Sequence, residues 1–291
     1  MRLQDPTRPL AGPQVTPLTT TIGAELSGID LSSPSADDIS AIHEALLAHK
    51  VVFFRDQRID DRALRDFAEA FGRTQRFPFG GPVDESVPEV HAIATGGPGP
   101  KIGNADVWHS DATFMQEPPM GSVLRSMQLP PCGGDTLFAN MEAAYDALSS
   151  PIQRMVDELS ATHDFTHSSS HRRPLHDQYP PVIHPVVRVH PVTGRRSLYV
   201  NRIFTVRINE LNDRENGALL SFLCDHVRSP DFQCRFSWRA DSIAFWDNRC
   251  TQHYAVADYT DRRVMHRVVI SGNRPRGIND LEAGFDKEVP A

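Results

Sequence analysis

Cysteine is scarce in this chain, and the four present (Cys132, Cys224, Cys234 and Cys250) form no C-x-x-C pair and no zinc-ribbon spacing. That speaks against a disulfide framework or a thiolate metal cluster and fits reduced thiols in a cytoplasmic enzyme. Cys250 reads as a small buried residue rather than a nucleophile or soft ligand. Long apolar runs are also missing, so no segment approaches membrane-spanning length, and Met1 to Pro6 lacks the basic-then-apolar order of a secretory signal. Positive charge is in deficit: 30 Lys and Arg face 37 Asp and Glu, for a formal net charge of -7. A phosphate-binding surface would want the opposite balance, so nucleic acid is excluded as the expected partner. There is no internal repeat and no low-complexity tract.

With 291 residues, 40% hydrophobic and 23% charged, the rest is ordinary globular material of one large domain. Residues 1–14 carry three prolines and little apolar periodicity and read as a loose N-terminal arm; a single domain is expected over 15–276, with a tail at 277–291. Apolar residues at Ile39, Ile42 and Leu46, after Ser35-Ala36-Asp37-Asp38, predict a capped helix. Val51 to Phe54 predicts a strand, and Leu64, Phe67, Ala68 and Phe71 predict a second helix. Both helices are expected to pack outside a sheet. Residues 77–105, rich in proline and glycine, read as a long mobile loop, a substrate lid. Beyond it, short strands are predicted at 122–127, 136–139, 185–189, 198–200, 204–208, 233–238, 243–246 and 263–270, interrupted by helices at 141–148, 152–159 and 213–227. Many short strands predict a barrel or jelly roll, mainly β with helices on its outside.

The chemistry concentrates in a few places. In an extended segment residues two apart share a face, so His109 and Asp111 of Trp108-His109-Ser110-Asp111 can both reach one ion while Ser110 points away. A third ligand is required, and the candidate is His253, after the strand that ends at Trp246. Two histidines and a carboxylate on one side of a metal form the facial triad of non-haem Fe(II) oxygenases. Downstream, alternation puts Arg263, Met265 and Arg267 on one strand face and Val264 and His266 on the other. If the first face lines the barrel, each buried guanidinium needs an anion. His163, His167 and His171 recur every fourth residue, but the residues between them are poor helix formers and no H-E-x-x-H is present, so a surface or lid segment is expected there rather than zinc. His43, His49, His91, His176, His184, His190 and His226 read as surface or satisfied core residues.

Taken together, His109-Ser110-Asp111, Gly133-Gly134-Asp135-Thr136-Leu137, Trp246 to His253 and Arg263-Val264-Met265-His266-Arg267 resemble the taurine dioxygenase family. The likeness extends from about Val15 to Asn273, through Ile22 to Gly28 and His184 to Arg188. The resemblance implies a double-stranded β-helix (jelly-roll, cupin-like) core, and an enzyme that uses Fe(2+), 2-oxoglutarate and O2 and forms succinate and CO2. It implies His109, Asp111 and His253 as iron ligands, Arg263 with Thr136 as the clamp on the distal carboxylate of 2-oxoglutarate, and Arg267 as the contact to an anionic substrate. Phe165 and Phe204 match aromatic positions that wall the substrate pocket. Asn104 stands near the family's substrate-side asparagine, one residue further from His109. The substrate is expected to be a small anionic organic molecule, an alkyl sulfonate or alkyl sulfate that loses sulfite or sulfate and leaves an aldehyde. An aryloxyalkanoate or amino-acid-like carboxylate is the alternative, and a non-catalytic metal-binding barrel or zinc hydrolase a remoter one. Homologous enzymes imply a homo-oligomer, dimer or tetramer. Where the taurine enzyme has a substrate-contacting histidine and a nearby tyrosine, this chain reads Arg76-Phe77-Pro78-Phe79-Gly80-Gly81, which predicts a more apolar substrate than taurine.

Overall fold

The computed structural model describes residues 12–77, 81–96, 106–167 and 177–282. The first half runs β1 (Gln14–Pro17), β2 (Ala24–Ser27), α1 (Ala36–His49), β3 (Val51–Phe54), α2 (Asp61–Glu69), β4 (Thr74–Gln75), β5 (His91–Thr95), β6 (Gly121–Gln128), β7 (Thr136–Asn140), α3 (Met141–Asp146) and α4 (Ser150–Asp157). The second runs β8 (Ser160–His163), β9 (Val182–Pro185), β10 (Val187–Val189), β11 (Arg196–Leu198), β12 (Thr205–Ile208), α5 (Asp213–His226), β13 (Gln233–Phe236), β14 (Ile243–Asp247), β15 (Thr251–Ala255), β16 (Arg263–Ile270) and α6 (Ile278–Glu282). The fold is mainly β, a jelly-roll core with helices outside. Among the described residues no helix is long and apolar enough to cross a membrane.

The larger sheet is ordered β1-β2-β3-β14-β6-β16-β4, with β5 also on β16. A three-stranded sheet, β13-β7-β15, faces it. The reason is visible in β3 and β14, whose sequences Val51-Val52-Phe53-Phe54 and Ile243-Ala244-Phe245-Trp246 are apolar on both faces. Strands buried on both sides lose the usual alternation of apolar and polar residues. Val51, Phe53, Ala244 and Trp246 pack inward with Phe138 of β7 and Phe236 of β13, while Val52, Phe54, Ile243 and Phe245 pack outward under Ile42, Leu46, Leu64 and Phe67 of the two helices. The Phe53 and Phe236 rings stack with centroids 4.0 Å apart, closing the two sheets on each other. Truncating such a ring to alanine costs about 3–5 kcal/mol.

Helix α1 begins where expected: Ser35 caps it, its hydroxyl accepting from Asp38 N while Asp38 returns a carboxylate to Ser35 N. Two expectations are corrected. The 77–105 stretch is not all loop, because His91–Thr95 forms β5 and pairs with Arg263 to Arg267; residues 78–80 and 97–105 lie outside the described residues. The stretch around His163 is not surface: His163 lies on β8, fully buried, with Nδ1 2.9 Å from Thr113 Oγ1. His167 is exposed and His171 lies outside the described residues. The single strand expected at 185–189 is two, because Pro185 has no N–H to continue a ladder and the chain changes sheets there.

Candidate metal centre

His253 is set by β15, whose register places it opposite Phe138 of β7. Phe138 points into the core between the sheets, while its neighbours Leu137 and Ala139 pack outward against helices, so His253 points inward as well. The His109 segment adds to the edge of β15 by one reciprocal pair: His109 N donates to His253 O at 3.1 Å and His253 N to His109 O at 2.8 Å. Ser110 turns away, as alternation requires, and its hydroxyl donates to Thr251 O. The chain then turns at Ala112, whose φ of 50° lies in the left-handed region a Cβ disfavours. Asn248 holds that turn, accepting from Asp111 N at 2.7 Å and donating to Asp111 O at 3.0 Å. Strand alternation alone thus sets His109 and His253, and a side-chain clamp sets Asp111.

Among the described residues His109, Asp111 and His253 each bring a ligand atom within 4.8 Å of the others, and all three are buried. Asp111 Oδ1 lies 3.9 Å from Nε2 of both histidines. The hydrogen bond of His109 Nδ1 to Val107 O, at 2.7 Å, assigns the ring proton to Nδ1 and leaves the Nε2 lone pair facing the cluster. Burial, then the nearby His109, pushes His253 down to about 3, so it too is neutral. Burial opposes the charge on Asp111, but Arg267, with a hydrogen bond from Ser122, holds its carboxyl below the usual range. One anionic oxygen and two neutral imidazoles make a donor set that fits Fe(II) or a similar divalent ion.

A cavity of about 320 Å³ opens on the cluster, lined by His109, His253, Thr136, Arg263 and Arg267 with Tyr259 beside them. Arg263, Met265 and Arg267 share the inner face of β16, and His266 on the outer face meets Asp61 of α2 at 2.7 Å. Arg263 is 4% exposed, yet its Nε and Nη2 find no partner among the described residues. Burial pulls its pKa down, with Tyr259 pulling back. Unpaired N–H groups on a buried guanidinium are costly unless a ligand takes them. Thr136 Oγ1 accepts from Trp238 Nε1 at 3.0 Å, and among the described residues its own proton has no acceptor. Gly134, at φ 74°, makes room for this arrangement: a Cβ there would sit 3.2 Å from Arg263 Cδ.

The remaining expected residues fall beside this cavity rather than in it. Phe165 and Phe204 are buried against Phe114, Ala112 and Ile203, with Phe77 and Tyr179 at the margin. This apolar cluster adjoins Asp111 through Ala112. Asn104 lies outside the described residues. The reading of residues alone missed Asn248, Trp238 and Tyr259, whose roles depend on partners far away in the chain; it also placed His91 in the background, although its Nε2 accepts from Arg267 Nε.

The family model for taurine catabolism dioxygenase TauD, TfdA family, matches residues 14–269. An alpha-ketoglutarate-dependent sulfate ester dioxygenase of Pseudomonas putida is 36% identical over 91% of this chain and 91% of its own. An alkylsulfatase of Acinetobacter baylyi is 34% identical over 96% of this chain and 90% of its own. The crystal structure of a taurine dioxygenase from Burkholderia xenovorans superposes with a TM-score of 0.82 at 38% identity, covering 92% of each chain. With a family model spanning residues 14–269 and relatives above 30% identity over nearly the whole chain, the chain belongs to the TauD/TfdA family of dioxygenases.

Proposed function

We propose that this chain binds Fe(II) through His109, Asp111 and His253 and uses 2-oxoglutarate and O2 to hydroxylate an alkyl sulfate or alkyl sulfonate. The carrying observation is Arg263: a buried guanidinium with two nitrogens that have no partner among the described residues, in the same cavity as His109 and His253. A planar guanidinium clamps a carboxylate through two charge-assisted hydrogen bonds, and the Thr136 hydroxyl can add a third. Iron, when bound, supplies the redox chemistry that couples decarboxylation of 2-oxoglutarate to oxygenation of a substrate carbon. The protein's part is positioning. Leu124, Phe138, Trp246 and Met265 give the cavity apolar walls that keep water from the reacting groups. Arg267, on the same strand face as Arg263, offers its charge to the substrate's anionic group. Phe165 and Phe204 belong to the apolar cluster on the Asp111 side, where a hydrocarbon tail would lie. Hydroxylation at the carbon bearing the sulfate or sulfonate gives an adduct that collapses to an aldehyde and sulfate or sulfite.

The activities of the Pseudomonas and Acinetobacter relatives, a sulfate ester dioxygenase and an alkylsulfatase, support a sulfate ester over a carboxylate substrate. The apolar residue Phe77 beside Arg267 supports a tail larger than taurine's. The test is a panel of n-alkyl sulfates, n-alkyl sulfonates, taurine and phenoxyacetate, assayed for succinate and released anion under Fe(II), 2-oxoglutarate and O2. An alkyl sulfate or sulfonate of several carbons should lead the panel. Faster turnover of taurine than of any longer substrate overturns the apolar-tail reading; zinc-dependent turnover without O2 overturns the dioxygenase reading.

A further inference from the structure

Arg267 is held from three sides before any substrate arrives. On β5, His91 stands directly opposite Arg267 in the antiparallel register. Its Nε2 accepts from Arg267 Nε at 2.8 Å, so the ring proton resides on Nδ1. Arg267 Nη1 donates to Asp111 Oδ1 at 3.1 Å. The Phe77 ring stacks on His91, with centroids 5.2 Å apart and planes 12° apart, and also lies 4.5 Å from Arg267 Cζ. His91 is 4% exposed and is absent from the cavity wall that Arg267 lines. Among the described residues it reaches the cavity through Arg267.

A guanidinium carries five N–H donors in a fixed plane. With Nε committed to His91 and one Nη1 hydrogen to Asp111, the three donors left all lie on the two terminal nitrogens. We infer, resting on the dioxygenase reading above, that His91 is a positioning residue for substrate recognition: it fixes Arg267 so that its Nη1/Nη2 edge, end-on, receives the oxygens of the substrate's sulfate or sulfonate group. The choice of acceptor has a consequence for charge. A carboxylate at position 91 would hold the same N–H but would add a second negative charge to the one Asp111 already brings, whereas a neutral imidazole fixes the geometry without adding one. Burial, followed by the neighbouring Arg267, pushes His91 down to about 3, which keeps the ring neutral. Phe77 completes the arrangement by covering one face of both groups, so the guanidinium plane has little freedom to rotate.

The test uses full-length enzyme and n-hexyl sulfate as probe, comparing wild type, His91→Phe, which keeps the stack on Phe77 and removes the acceptor, and His91→Gln, which supplies an amide oxygen instead. His91→Leu serves as the second acceptor-free variant should His91→Phe fail to melt cooperatively. The acceptor-free variant should raise the KM and the calorimetric Kd for n-hexyl sulfate by about tenfold, with the KM for 2-oxoglutarate within about twofold of wild type. His91→Gln should stay within about threefold on both ligands. In an Arg267→Ala background the acceptor-free substitution should add nothing to the Kd, because its effect passes through that arginine. Unchanged affinity without the acceptor, an equal rise for both ligands, or a full additional loss in the Arg267→Ala background each overturns the inference. If wild type neither binds nor turns over n-hexyl sulfate, the sulfate-ester reading falls by itself. The same variants are then read with hexanesulfonate and phenoxyacetate: selective loss for whichever anion wild type binds sustains His91's role, and binding of none sinks both proposals.

Discussion

Among the described residues two clusters bring three metal-competent side chains within 4.8 Å of one another: His109, Asp111 and His253, and separately His190, Asp247 and Cys250, all six buried. Their chemistry differs because of hydrogen bonds one atom further out. His190 Nδ1 accepts from the Val192 and Thr193 amides, so its proton sits on Nε2 and is donated to Asp247 Oδ2 at 3.0 Å. Arg249 takes the rest of that carboxylate, with Nε on Oδ1 at 2.8 Å and Nη2 on Oδ2 at 2.6 Å. Burial, reinforced by Asp247, pushes the Cys250 thiol well above its usual range, so it is a thiol rather than a thiolate. That cluster is saturated and serves the fold. At the other cluster Nδ1 of His109 faces a carbonyl and Nε2 faces Asp111, the orientation that the proposed metal site requires. The direction of one imidazole hydrogen bond separates the proposed ligand from a strut.

Substitutions at the two carboxylates should break the comparison most sharply. Asp111→Ala should abolish 2-oxoglutarate-dependent succinate formation and bound metal, read by elemental analysis, with the fold retained. Asp247→Ala should leave metal stoichiometry unchanged but strand Arg249, lowering stability by about 3–5 kcal/mol; at this size that is a fall in Tm on the order of 10 °C. Loss of metal from the second variant, or its retention in the first, would reverse the assignment. At Arg263, alanine should raise the KM for 2-oxoglutarate by about ten- to a hundredfold with a smaller change in kcat, since the charged partner of a buried carboxylate is removed. Normal cosubstrate affinity in that variant would end the clamp assignment.

Acid should act next, through histidines that the folded state keeps neutral. Burial is the first cause at each: His184 is pushed down to about 4, and His163 well below its ordinary value. An unfolded imidazole titrates near 6.5, so below that pH the unfolded chain takes up protons that the folded chain refuses. Stability is therefore fully present above pH about 6.5 and is lost toward pH about 4, by up to about 1.4 kcal/mol per pH unit for each such histidine. Thermal melts at pH 7.5 and 5 should differ accordingly; a Tm that does not fall would contradict the burial of these rings. The smallest effect belongs to Cys250→Ala, which should cost about 1 kcal/mol in stability and leave metal content and turnover as in wild type.

How much of this was readable beforehand varied with the range of the interactions. Strands Val51–Phe54 and Arg263–Ile270 were legible because their apolar or alternating residues declare themselves locally. Thr251–Ala255 was not, since Thr-Gln-His-Tyr-Ala carries no apolar alternation and becomes a strand only by pairing with β7. His91–Thr95 was hidden among prolines and glycines and is held by β16. His163 looked polar enough for a surface, and Thr113 supplies the partner that lets it be buried.

By itself the sequence determined the donor types, the shared face of Arg263 and Arg267, and the fold class, because alternation along a strand is a property of the local chain. The tertiary structure decided which ring nitrogen of His109 faces Val107 O, that Asn248 clamps the turn at Asp111, that Arg263 has two nitrogens without a partner among the described residues, and that His91 faces Arg267. Those depend on partners more than a hundred residues apart or on the direction of a single hydrogen bond, and a one-dimensional pattern encodes neither.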